Sequence, residues 1–307
     1  MMKFSKLFLG LIVIVGVAFL LSNKEDKESQ KPYISVSSFA LYDVAVNIAG
    51  DEIEVFKIIS DGSDAHMFEP TPKDLATIEL SKLFIYNGAG FEAWADKLSS
   101  NISSKIIDMS VNVELLESHH HCDHDEDDDE HHHGNYDPHY WQSIENMITI
   151  AGVIERELSQ ILPEKSEQFR ANRDSYIDEL RKLENEYKTA LSDCKIPYLV
   201  TSHNAFGYLG DDYGFSNISV VGLSSDEQPS AKNIADIVEL VRDKGIKAIY
   251  FEEFIDDGVA ATIAKETGAE VDTIHPLGNI TKEQSGMSYI EIMRENLSKL
   301  RYAMECN

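Results

Sequence analysis

The feature that most limits how this chain can fold is a run of thirty residues, 164–193, that contains no glycine or proline. Apolar side chains recur along it at Phe169, Tyr176, Leu180, Leu183, Tyr187 and Leu191, and spacings of three, four and seven place them on one helical face. As a single helix the run extends about 45 Å at 1.5 Å per residue, longer than an ordinary globular helix. It starts after Pro163 and stands mid-chain, so residues 163–194 read as a rigid strut between two folded parts.

Strand and helix patterns alternate on both sides of that strut. Before it, Tyr33-Ile-Ser-Val-Ser-Ser-Phe, Glu54-Val-Phe-Lys-Ile-Ile and Leu83-Phe-Ile-Tyr are rich in β-branched or aromatic residues and read as strands. Helices are expected over residues 40–49, from a Thr71 cap with Pro72 in the first turn, over 91–98 and over 141–161. After it, residues 197–201, 218–221, 248–251 and 271–274 read as strands, and 205–213, 230–244, 258–267 and 288–304 as helices. Strands separated by helices form parallel sheets. The expected fold is therefore α/β: two lobes, residues 32–162 and 195–307, each with a mainly parallel sheet flanked by helices, joined by one long linker helix. Ligands of such sheets bind beyond the carboxyl ends of the strands.

Residues 1–6 carry two lysines and no acid, and residues 7–21 carry no charge at all. A basic start followed by an apolar run is the form of a secretory signal, and residues 4–22 approach the length of a spanning helix. No small-x-small site follows cleanly, and no Cys stands there to accept a lipid. A cleaved signal and an uncleaved anchor both stay open; residues 1–31 are read as one or the other plus a charged tether. Four Asn-x-Ser/Thr sequons, at Asn101, Asn217, Asn279 and Asn296, fit an exported protein, but so short a motif arises readily by chance.

Charge narrows the partners. With 54 Asp and Glu against 27 Lys and Arg, the net charge is −27, which argues against nucleic acid, whose binding needs a basic face. Three widely spaced cysteines exclude a disulfide-stapled scaffold and a four-Cys zinc site; Cys194 and Cys306 read as structural or incidental. Residues 117–133 comprise seven His, eight acids, Cys122 and Ser118. Nothing there can be buried, so a mobile surface loop is expected. Without its acids the net charge moves only from −27 to −19, so the remainder is acidic too.

Of the 11 histidines, seven lie in that segment and four remain: His66, His139, His203 and His275. Three of the four follow expected strands, and His139 opens an expected helix. Any one of them alone reads best as a solvated or core residue. Four without spares, two per lobe, point instead to a metal held between the lobes, since neutral imidazole is a common ligand of zinc, copper and nickel.

The segments His66-Met-Phe-Glu-Pro-Thr-Pro-Lys-Asp-Leu, Tyr86-Asn-Gly-Ala-Gly-Phe-Glu, Asp137-Pro-His-Tyr-Trp, Ser202-His-Asn-Ala-Phe-Gly-Tyr and Glu227-Gln-Pro-Ser occur in that order. Together they resemble the zinc/manganese solute-binding proteins of ABC transporters, the ZnuA/TroA-like group, over essentially everything after the tether. The resemblance implies two α/β lobes joined by a long helix, with the metal between them. It also implies that His66 and His139 are ligands from the N-terminal lobe and His203 a ligand from the C-terminal lobe. At the fourth position many members have Asp before Pro-Leu, whereas this chain has His275-Pro-Leu. His275 can coordinate there, or it stays back and water fills the place.

Three or four imidazoles favour Zn²⁺ over Mn²⁺, which prefers carboxylate oxygens; Cu²⁺ and Ni²⁺ fit the ligands less specifically. Zinc-type members of the group carry a similar His-rich loop. Here His119, His120, His121, Cys122, His124, His131, His132 and His133 are candidates for secondary capture, raising the local metal concentration. The residues and the resemblance together imply a monomeric, extracytoplasmic, membrane-tethered zinc-binding protein that serves the permease of an ABC importer. A zinc-storing or adhesive surface protein is the alternative. Glu69 and the pair Glu252-Glu253 invite a hydrolase reading, but they read better as local or lobe-contact residues. There is no His-Glu-x-x-His, Gly-x-Ser-x-Gly or phosphate loop, so no enzymatic role is expected. A long linker helix should limit closure, which leaves small lobe shifts and loop movement for metal release.

Overall fold

A computed structural model describes residues 31–98, 102–117, 136–225, 227–252 and 258–307. The expected signal or anchor (1–30), all eight secondary-capture candidates of the His-rich segment, and Glu253 lie outside the described residues. Among the described residues no helix is long and apolar enough to cross a membrane. Tyr33–Asn307 forms one compact unit.

Leu83-Phe-Ile-Tyr and Ala248-Ile-Tyr-Phe are apolar throughout and buried at every position, as strands covered on both faces must be. They sit at the centre of two separate four-stranded sheets. In the first, β1 (Tyr33–Val36), β2 (Glu54–Lys57), β3 (Leu83–Tyr86) and β4 (Lys105–Asp108) pair in the order β2-β1-β3-β4. In the second, β5 (Tyr198–Thr201), β6 (Ser216–Ser219), β7 (Ala248–Phe251) and β8 (Glu270–Thr273) pair in the order β6-β5-β7-β8. Every pairing is parallel. Strand β4 was not anticipated; it holds only two apolar residues at a sheet edge. Helices α1 (Phe39–Ala49), α2 (Pro72–Leu80) and α3 (Ile144–Ile161) belong to the first lobe. The second contributes α5 (Gly207–Tyr213), α6 (Ala231–Lys244), α7 (Gly258–Thr267) and α8 (Tyr289–Ala303).

Helix starts follow their caps. Thr71 and Asp74 form a reciprocal capping box with Pro72 at the first position, Ser288 and Glu291 do the same for α8, and Ser230 caps α6. The helix expected over 91–98 is absent apart from one tight turn, Ala95–Lys97. The cause is Glu92, whose carboxylate turns back to accept the N–H groups of Asn87 (3.1 Å) and Gly88 (3.1 Å). That closes a loop in which Gly88 has φ +76, and a Cβ there would stand 1.9 Å from Asp108 Oδ1.

The linker begins as a tight turn, Pro163–Lys165, and continues as α4, Ser166–Ala190. At 25 residues it is about 37 Å long, shorter than the run suggested. Nor is it a bare strut. Phe169, Tyr176, Leu180, Leu183 and Tyr187 are all buried, against α1 and α3 on one side and α8 on the other. Asn172 Nδ2 donates to Ile48 O (2.9 Å) and Tyr176 OH to Asp43 Oδ2 (2.8 Å). Tyr187 OH donates to Met293 O at 2.7 Å. A single apolar core therefore runs from Ile34 and Val44 through the α4 stripe to Leu199, Tyr250 and Leu300. Cys194, just past α4, is disulfide-bonded to Cys306 at the other end of the C-terminal lobe's chain, where Ile196 N–H also meets Met304 O (3.0 Å).

Asp43 joins three elements: besides Tyr176, it accepts the N–H of Tyr289 at the start of α8 (3.1 Å). A carboxylate at a helix N-terminus is favourable, while burial raises its pKa. Asp43→Ala is expected to lower unfolding stability by about 3 kcal/mol in urea titrations, and Tyr176→Phe by about 1 kcal/mol, because only the former leaves two buried donors unmatched.

Candidate metal centre

Two switch points, where neighbouring strands run on to opposite sides of their sheet, create crevices at the carboxyl ends of β1/β3 and of β5/β7. His203 leaves β5 and Glu252 leaves β7, so the pairing of those two strands sets one beside the other. His66 comes from the loop after β2, and His139 from the segment that leads into α3.

The structure brings together His66, His139 and His203, whose ligand atoms lie within 4.8 Å of one another. The Nε2 atoms of His139 and His66 are 3.4 Å apart, and those of His203 and His139 3.3 Å. Nitrogens bound at about 2.05 Å to one tetrahedral ion stand about 3.3 Å apart. His139 thus stands at that spacing from both of its neighbours, and all three rings lie within reach of one zinc-sized cation.

Each of the two most buried rings is backed by a carboxylate. Asp137 Oδ1 accepts the His139 backbone N–H (2.9 Å) and faces its Nδ1 at 2.8 Å. Glu252 contacts His203 Nδ1 and accepts the Ser202 hydroxyl (2.7 Å) and the His203 N–H (3.3 Å). A carboxylate at Nδ1 accepts the ring N–H there, which keeps the proton on Nδ1 and leaves the Nε2 lone pair facing the centre. Asp64 Oδ1 accepts the His66 N–H (2.9 Å), and its Oδ2 accepts the Ser225 hydroxyl of the other lobe (2.9 Å). Phe91 lies edge-on to His66 (4.8 Å between centroids) and to Trp141 (4.7 Å), giving the pocket an apolar wall. The cavity is ≈ 30 Å³, room for an ion with a water or two.

Burial, helped by the neighbouring imidazoles, holds the His66 pKa well below its ordinary value. Burial also lowers His139, against the opposing pull of Asp137. At His203 burial is outweighed by Glu252, with Asp64 and Asp137 adding to it, and the pKa is raised.

His275 is not part of the cluster; three histidines meet where four were expected. Its Nδ1 accepts the N–H of Leu277 (2.9 Å), Gln284 hydrogen-bonds the ring, and Asn296 grips its backbone N–H (3.1 Å) and carbonyl (2.7 Å). The ring folds back onto its own turn, where Leu277 adopts φ 64, a conformation that L residues with branched side chains rarely take unaided. Burial pushes the His275 pKa down to about 4. Asn279 and Asn296, both in sequons, are buried at 2% and 1% exposure; in the folded chain they are internal clamps.

Asp137 is a site residue that the sequence reading passed over, while Glu252, weighed there as a catalytic base and read as a lobe contact, stands instead at Nδ1 of His203. Asp137 carried a signal, standing two residues before His139. Glu252 shares the strand-end position of the histidines, but only the β5–β7 pairing puts it under His203.

The architecture and the site define a class: two-lobed α/β proteins with an imidazole cluster between the lobes, suited to a small cation. Residues 34–303 match the family described as zinc-uptake complex component A, periplasmic (ZnuA), and the chain belongs to that family. It is 35% identical over 310 residues to the zinc-binding protein AdcA of Streptococcus pyogenes serotype M1, covering 96% of this chain and 60% of that protein. The chain thus spans about three-fifths of the length of such relatives. It is 32% identical to the high-affinity zinc uptake system protein ZnuA of Bacillus subtilis, covering 95% of this chain and 96% of that one. Among solved structures, the Zn(II)-bound ZnuA-like domain of Streptococcus pneumoniae AdcA superposes with a TM-score of 0.75 at 32% identity, covering 90% and 99% of the two chains. The laminin-binding protein Lmb of Streptococcus agalactiae superposes with a TM-score of 0.79 at 26% identity, covering 89% and 99%.

Two tests follow from this geometry. Glu252→Gln should weaken zinc binding about 10- to 100-fold. The pH at which the remaining affinity begins to fall should move lower, because the charge that raises His203 is gone and protons compete less; chelator competition across pH measures both. Glu92, fully enclosed, has its pKa pushed up to about 7 by burial despite bonds from Ser37, Asn87 and Gly88. Its folded-state value lies above the unfolded 4.5, so the stability it confers is present below about pH 4.5 and lost as pH rises through about 7. Thermal melts of chelator-treated protein should show this decline flattened in Glu92→Gln.

Proposed function

We propose that this chain is an extracytoplasmic zinc-binding protein that hands Zn²⁺ to the membrane permease of an ABC-type importer. The observation that carries the reading is a cluster of three imidazoles within 4.8 Å, His139 Nε2 standing 3.3–3.4 Å from its two neighbours and two of the rings backed by carboxylates on the far nitrogen. An all-imidazole set favours Zn²⁺ over Mn²⁺. High-affinity zinc uptake and zinc binding are what the relatives from Bacillus and Streptococcus are named for. Of the two roles left open for His275, we propose the second: it shapes the 275–277 turn, and water completes the metal's coordination.

The Cys194–Cys306 disulfide supports an oxidising compartment, and a relative from Streptococcus pneumoniae is named a zinc-binding lipoprotein. Residues 1–31 then serve as signal or anchor and tether, with residues 32–162 and 195–307 acting as a monomeric pair of lobes about the 163–194 linker. The described flanks of the His-rich segment lead towards the site, and we propose that the segment feeds it. Glu117 pairs with Tyr136 at its base, and Tyr208 OH bridges Leu116 N–H (2.9 Å) to Asp137 O (2.8 Å), two residues from His139. The protein turns over no substrate in this reading. Adhesion is a second reading, prompted by the description of Lmb as both adhesin and metal transporter.

Metal content and competition with Mn²⁺, Cu²⁺ and Ni²⁺ test the proposal on the full chain. One tight zinc equivalent should survive deletion of residues 117–133 and disappear in His139→Ala. Binding that vanishes with the loop instead would move the principal site out of the cleft and favour storage or adhesion.

A further inference from the structure

Of the three ligand-bearing segments, the one carrying His66 is the least self-supporting. His139 and His203 are enclosed, at 1% and 2% exposure, each over its own carboxylate. His66 stands at the end of the loop that runs from Ile58 and is less enclosed than the other two. The loop's first residues still follow the N-terminal sheet, Ile58 and Ile59 N–H donating to Val36 O (2.9 Å) and Ser37 O (3.0 Å); beyond them the loop is held from the other lobe as well. Asn279, in the β8–α8 connection and itself 2% exposed, directs its whole side chain at it. Its Oδ1 accepts Lys57 Nζ (2.9 Å), and its Nδ2 donates to Ser60 O (2.8 Å) and Ser63 O (2.8 Å). Beside it, Gly62 N–H donates to Ile280 O at 2.8 Å, from a backbone with φ +84 that suits glycine. The same connection is anchored in the N-terminal lobe: Pro276 O accepts Trp141 Nε1 (2.8 Å) and Gln142 Nε2 (2.7 Å), and Gly278 O accepts the Phe39 N–H (3.2 Å).

We propose that Asn279 is a positioning residue for His66: by gripping the carbonyls of Ser60 and Ser63 from the opposite lobe, it sets where the first imidazole stands relative to the other two. The inference rests on reading the three histidines as a zinc site. A metal site tolerates ligand displacements of only about 0.2 Å, so a loop released from its two carbonyl clamps presents His66 poorly. Because the clamp crosses between lobes, any shift of residues 276–280 against the N-terminal lobe is passed directly to one ligand. That couples lobe movement to grip on the ion without a hinge in α4.

Asn279→Asp and Asn279→Ala in the full chain test this. Asp keeps the acceptor for Lys57 and loses both donors, so it should behave like Ala: zinc affinity about 10- to 100-fold weaker. With Co²⁺ as a visible-absorption probe, the band shape and intensity should change as the third nitrogen is lost or displaced. Asn172→Ala, which cuts a comparable side-chain bond between α4 and Ile48 far from the site, controls for stability alone and should bind zinc and Co²⁺ as the unmodified chain does. Should Asn279→Asp fold, bind zinc with unaltered affinity and give an unaltered Co²⁺ spectrum, the positioning role is wrong while the zinc site stands. An unmodified chain that binds no zinc overturns the site reading and this inference with it.

Discussion

Three imidazole nitrogens with their lone pairs directed at one point repel one another unless a cation occupies that point. The 3.3–3.4 Å approach of His139 to its two neighbours is therefore an arrangement the rest of the molecule must enforce. Asp137 and Glu252 enforce it at the ring level, by holding Nδ1 of His139 and His203. Burial reinforces it by keeping His66 and His139 neutral, so that protons do not take the metal's place. The lobes enforce it at the chain level, since no lobe alone supplies all three rings.

The two sheets solve the same local problem in parallel ways. Immediately after β1, Ser37 donates to the buried carboxylate of Glu92; immediately after β5, Ser202 donates to the buried carboxylate of Glu252. In the C-terminal lobe that carboxylate reaches onward to His203. In the N-terminal lobe it is used to close the 87–92 loop, which carries Phe91 to the wall of the pocket and gives Tyr140 OH its acceptor at Asn87 O (2.9 Å). One carboxylate supports the histidine cluster and the other braces a loop.

Joining the lobes through a shared apolar core has a mechanical consequence. Wide hinge opening would expose the α4 stripe and part its partners on α1, α3 and α8, at a cost that scales with the apolar area uncovered. The connections near the site are of a different kind: single hydrogen bonds such as Ser225 to Asp64, and the Asn279 clamp. Breaking those costs the hydrogen bonds themselves, about 1 kcal/mol for a typical one and more at the buried Asn279. With those broken, the loop around residues 58–66 would be released while the shared core keeps the lobes in register.

Much of this was legible in the chain itself. Period-two apolar runs and cap residues such as Thr71, Ser230 and Ser288 act within a few positions, so strands, helix starts and the two-lobed α/β plan could be read locally. The linker's apolar stripe was likewise local, as was the surplus of four histidines outside the acidic segment, three of which converge. What the sequence could not show depends on which distant residues meet. Glu252 becomes the partner of His203 only through the pairing of β5 with β7. The linker proves to be the spine of a common core, and Cys194 and Cys306, 112 residues apart, are joined because α8 returns to the start of β5. His275 looked equivalent to the other three by position, yet a hydrogen bond to Leu277, two residues on, turns its ring into its own loop. Local chemistry determined which side chains were available to bind a metal. Tertiary packing, by fixing directions and distances to a few tenths of an ångström, decided which of them face it.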